Sequence, residues 1–154
     1  EYKAMKKVGI IGIFLLISTM TTQAKEIKSI KDYEKELSHC VDTFVLAEQK
    51  CSEKGSMKCY DFLMSLHKKT QQCLKHTGTQ ILKQFYALSE QEAEDKLNKF
   101  SQFMYDNYLF LYNDTSYCQQ NNCGVSPYLN SEYTTTKELD DYIHQMINSI
   151  SARD

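Results

Sequence analysis

The chain has 154 residues, 18 of them basic and 20 acidic, for a net charge of −2 at neutral pH. An acidic balance with no basic cluster argues against a reader of nucleic acid, because phosphate binding needs concentrated positive charge. Seventeen of the 18 basic residues are lysine, which makes weaker bidentate contacts to phosphate than arginine. A single proline, five glycines and no repeat or low-complexity tract point to a mainly helical protein.

The N-terminus reads as an export signal. Met5-Lys6-Lys7 opens a short basic segment, and Val8 to Ile17 (VGIIGIFLLI) is apolar and uncharged. Thr22-Gln23-Ala24 then offers small residues to a signal peptidase. This three-part order is expected of a bacterial secretory signal, and the apolar run is shorter than the roughly 20 residues of a membrane span. The first cysteine is Cys40, too far from the cleavage site for a lipid anchor. Residues 1–24 are therefore expected to be an upstream remnant (Glu1 to Ala4) and a cleaved signal, and 25–154 a single helical domain, periplasmic or secreted. That domain carries 15 basic and 19 acidic residues, and its length suffices for one core.

Six cysteines in an exported chain imply three disulfides, although six allow 15 pairings. The flanking periodicity narrows the choice. Tyr33, Leu37, Cys40, Phe44, Ala47 and Cys51 recur at alternating steps of four and three, one face of a helix. Cys59, Phe62, Leu66, Thr70 and Cys73 repeat that period, with Leu63 and Leu74 widening the stripe, Ser56 as expected N-cap and Gly78 as expected stop. Cys40 and Cys51 lie about three turns apart on their helix, and Cys59 and Cys73 about four on theirs. A reversal at Lys54-Gly55 then brings Cys51 to Cys59 and Cys40 to Cys73, two nested staples across a helical hairpin. In layout this resembles the twin-cysteine helical hairpins of small oxidised proteins, with ten and thirteen intervening residues where that family has shorter, equal spacings.

Thr79 to Leu88 reads as a short helical piece, and Ser89 with Glu92 as a capping box. That box opens a long helix with the stripe Ala93, Leu97, Phe100, Met104, Tyr108 and Leu111. A last helix is expected from Thr135, capped by Glu138, with Leu139, Ile143, Met146 and Ile150 on its inner face. No segment reads as a strand. The expected fold is all-α: a small disulfide-stapled bundle, one helical hairpin plus two or three further helices.

Between the last two helices, residues 112–136 show no helical period and are rich in Asn, Ser, Thr and Tyr. A structureless stretch of this length is often functional. Cys118 and Cys123 are placed to clamp it, with Gly124 free to turn. Tyr112, Tyr117, Tyr128 and Tyr133 supply rigid contact area of the kind used in binding surfaces.

No catalytic residues are assigned. There is no Cys-x-x-Cys, no Gly-x-Ser-x-Gly elbow and no phosphate-cradling glycine loop. Cys40, Cys73 and His76 are of zinc-ligand type, but an oxidising compartment favours the disulfide, so no metal and no cofactor is expected. The expected function is an exported, non-enzymatic binding protein, of the periplasmic inhibitor or immunity type. It would act on another protein of the envelope or outside the cell, with no nucleic acid involved. The alternatives are a secreted enzyme or effector with a scattered active site, or a structural factor of an envelope apparatus.

Overall fold

The computed structural model describes residues 27–52, 58–121 and 126–153. It is all-helical, with no strand among the described residues: α1 (Ile30–Ser52), α2 (Lys58–Tyr86), α3 (Glu90–Asn113), α4 (Thr115–Asn121) and α5 (Pro127–Ser151). The expected signal and the turn residues Lys54, Gly55 and Ser56 lie outside the described residues, as do Cys123 and Gly124.

Side-chain contacts fix how the helices run. Cys40 is bonded to Cys73 and Cys51 to Cys59, the pairing expected from the spacing, and this holds α1 antiparallel to α2. Lys83 meets Glu90 and Lys75 meets Asn98, so α3 runs antiparallel to α2. Tyr112 pairs with Thr134 and Tyr108 with Glu138, while Phe100 stacks on Tyr142, so α5 is antiparallel to α3. The bundle is thus α2, α3 and α5 around one core, with α1 stapled to α2 and touching α5, and α4 packed on α3 alone.

The central layer consists of Leu74, Ile81 and Leu82 from α2, Ala93 and Leu97 from α3, and Leu139, Ile143 and Ile147 from α5. Tyr33, Leu37 and Cys40 close it from α1. Tyr33, Leu37, Cys40, Phe44 and Cys51 of the α1 stripe and Leu139, Ile143, Met146 and Ile150 of the α5 stripe are buried as the periodicity predicts, while the Ala47 side chain lies outside the description. Phe62 is a correction: it stands 49% exposed, and the inner face of α2 adds His67 and Gln71 to the expected Thr70 and Leu74.

Gly78 is a second correction. It does not stop a helix; α2 runs through it to Tyr86. A Cβ at this position would sit 3.0 Å from Leu97 Cδ1 and 3.1 Å from Ile143 Cδ1, so glycine is what lets three helices meet here. The stop is nine residues later, where Ala87 takes a left-handed φ of 54° and the Leu88 N–H reaches back six residues to the Leu82 carbonyl, so that the chain turns out of the helix at a left-handed residue. Gly78→Ala should change stability by less than about 1 kcal/mol, since better helix propensity offsets slight crowding. Gly78→Leu should cost 2 kcal/mol or more, because both neighbours are fully buried. Urea unfolding of the two variants checks this.

Ser89 and Glu92 form the expected capping box, and Ser89 hydrogen bonds hold the Glu92 carboxyl below the usual range. The same device opens α1, where Ser29 and Asp32 exchange bonds. The expected cap at Thr135 is wrong. α5 begins eight residues earlier, with Ser126 as N-cap and Pro127 in the first turn, and Thr135 is buried inside it.

Candidate functional site

The early start of α5 changes the tyrosine segment. The described residues of 112–136 are not a structureless loop: Tyr112 lies in the last turn of α3, Tyr117 in α4, and Tyr128 and Tyr133 in the first two turns of α5. Tyr112 and Tyr117 come together, with ring centroids 6.2 Å apart, and Tyr108 stacks behind them at 6.1 Å. The Tyr112 hydroxyl pairs with Thr134 at 2.9 Å, so this group seals the α3–α5 seam. Cys118 is itself disulfide-bonded.

Tyr133 points elsewhere. Neighbouring residues on a helix are 100° apart, so Tyr133 leaves α5 on a different side from Thr134. Its ring sits edge-on to His67, centroids 5.9 Å apart, and 6.3 Å from Phe44. Tyr128 and Tyr133 are 52% and 45% exposed. The four tyrosines therefore form not one surface but a half-buried pair on one flank and two exposed rings at the start of α5.

Beneath those rings lies a buried polar hub that the sequence does not announce. Glu132 is a carboxylate and can only accept, so the Gln71 amide nitrogen is the donor in their 2.8 Å bond. Gln71 Nε2 also donates to Thr136 Oγ1 at 3.1 Å. The Thr136 hydroxyl spends its one proton on the Glu132 carbonyl at 2.7 Å. It must then accept from His67 Nδ1 at 3.3 Å, which fixes His67 as the Nδ1–H tautomer. His67 is 1% exposed, with Phe44 packed 4.6 Å from its ring, and burial lowers its pKa to about 4. The imidazole is therefore neutral at physiological pH.

On its other side the hub opens into a cleft of about 510 Å³ between α2, α3 and α5. Lys68, Gln71 and Lys75 line it from α2, Asn98, Gln102 and Tyr105 from α3, and Glu132 from α5. Burial and the nearby Glu132 hold the Tyr105 phenol above its ordinary range, so it stays protonated. Two further clefts, of about 570 and 560 Å³, flank Lys28 and His76 along the α1–α2 seam. Their charges are largely met from within, as Lys28 pairs with Glu36 and Lys83 with Glu90.

Cys40 and Cys73 are bonded to each other, which withdraws both as thiolate ligands beside His76. A histidine–carboxylate pair, His144 Nδ1 with Asp140 at 3.2 Å, spans one turn of α5 and lines none of these three clefts. Burial raises the Asp140 carboxyl pKa, against the His144 attraction. Among the described residues no helix is long and apolar enough to cross a membrane. No protein-family model matches the chain, and no curated protein or solved structure is similar to it.

Proposed function

We propose that the chain is an exported, non-enzymatic binding protein that recognises another protein through the exposed tyrosines at the start of α5. One observation carries the reading: Tyr128 and Tyr133 present about half of each ring to solvent from a helix whose inner face is locked by the Gln71–Glu132–Thr136–His67 hub. A ring held against Phe44 and His67 loses little entropy on binding, and such aromatic anchors dominate interface energetics. The acidic balance suits a basic partner, since opposite potentials steer encounter. The disulfides, with the expected export signal, support an encounter in the periplasm or outside the cell, where an inhibitor or immunity protein would act.

The test uses the oxidised protein as bait for basic envelope proteins, followed by titration of the recovered partner. Tyr128→Ala with Tyr133→Ala should weaken binding at least tenfold, as expected for removing hot-spot rings. Tyr112→Ala with Tyr117→Ala should affect stability more than affinity. Undiminished binding by the first pair would remove the α5 surface from consideration.

A further inference from the structure

We infer that the cleft between α2, α3 and α5 is a binding site for a small zwitterion of the polar α-amino acid class, separate from the tyrosine surface. Glu132 stands on the wall of this cleft. It is 8% exposed, yet no lysine, arginine or histidine among the described residues reaches it as an ion pair. Among the described residues its side-chain donor is the neutral Gln71 amide, on one oxygen, Oε2. A buried carboxylate costs several kcal/mol unless a cation compensates it. Its second oxygen, Oε1, takes no hydrogen bond from the described residues, and Glu132 lines the cleft.

The neighbouring groups give the cleft a direction. Gln71 spends its amide protons on Glu132 and Thr136, and Gln102 donates to Asp106 at 2.9 Å, so both leave their carbonyl oxygens uncommitted. The middle of the cleft therefore sets these acceptor oxygens around one negative charge, which suits an ammonium group, beside the Ser101 and Tyr105 hydroxyls. Cations stand on both sides of it. Lys68 lies three residues before Gln71 and Lys75 four after, about 4.5 and 6 Å along the helix axis. Lys75 donates to Asn98 Oδ1 at 3.0 Å, so the Asn98 amide nitrogen remains a donor beside it on the cleft wall. An α-amino acid carries its ammonium and carboxylate on one carbon, and so bridges Glu132 to a flanking lysine. No aliphatic side chain lines the cleft, so the ligand's own side chain is polar.

L-Glutamine, L-serine and L-glutamate are the probes, titrated calorimetrically into the oxidised protein. At least one should saturate and raise the melting temperature. Its N-acetyl and carboxamide derivatives, each lacking one charge, should bind at least tenfold more weakly. Glu132→Gln keeps an acceptor for Gln71 but removes the charge, and should weaken binding at least tenfold. Because Glu132 is buried, Lys68→Met with Lys75→Met provides a variant on the cleft rim with the same expected loss, and circular dichroism confirms that each is folded. Absence of saturation by all three probes, equal binding of either capped derivative, or preferential binding of glucose or N-acetylglucosamine would overturn the assignment. A failed tyrosine variant leaves this result untouched, as different residues carry the two sites.

Discussion

Replacing Cys40 and Cys73 together by alanine should lower stability by about 4 kcal/mol. The bond closes a segment of 33 residues, and in the chain-entropy model a loop of this length restrains the unfolded chain by about that amount. Cys40 is also 6% exposed within the core, so losing its sulfur adds a packing term. For a domain of this size the melting temperature should fall by roughly 15 °C. The inner bridge, Cys51–Cys59, spans only eight residues and should be worth about 2.5 kcal/mol. Urea unfolding without reductant measures both. The outer variant should also show a steeper denaturant dependence, because its unfolded chain expands further. Equal stability of the outer variant and the parent would mean that the bridge does not staple α1 to the bundle.

The second large effect is acid lability centred on His67. Its folded pKa is about 4, below the ordinary 6.5, because burial disfavours the charged ring. Between these values the unfolded chain binds the proton and the folded chain does not. Stability is therefore complete above pH 6.5 and falls as the pH drops toward 4. The full loss is roughly 3 kcal/mol, the free energy of that pKa difference. Protonation would also place a cation between the Phe44 and Tyr133 rings, where the only acidic side chain in the surrounding hub is Glu132, on the far side of Thr136. His67→Gln can still donate to Thr136 but does not titrate. It should lose no more than about 1 kcal/mol over the same interval, measured by urea unfolding at pH 7, 6, 5 and 4. Equal acid losses in parent and variant would assign the lability to other groups.

Much of the fold was written in periodicity. Cysteines spaced within apolar stripes identified both staples, and Ser89 with Glu92 marked the start of α3. The start of α5 was also written, since Ser126-Pro127 is an N-cap followed by a first-turn proline. It was obscured because the inner face of the first turns is polar. Ser131, Glu132, Thr135 and Thr136 are buried there, where an amphipathic pattern would have placed aliphatic residues. Gly78 misled for a related reason: glycine marks helix ends and close helix approaches alike, and only the positions of Leu97 and Ile143 separate the two. The hub was illegible because it joins Gln71 to Glu132 across 61 residues, and a buried polar pair has no local signature. The exposed tyrosines were identified by composition, but their separation into two flanks depends on the helical phase of residues 127–136.

Both candidate surfaces depend on that hub. Tyr133 rests on His67, while Gln71 and Glu132 form the floor of the cleft. The most direct test is the ¹⁵N NMR spectrum of the His67 ring as a function of pH. The expected result is a neutral ring protonated on Nδ1 at pH 7, titrating near pH 4. A ring protonated on Nε2, or one that titrates near its ordinary 6.5, would contradict the hub and with it the placement of both surfaces.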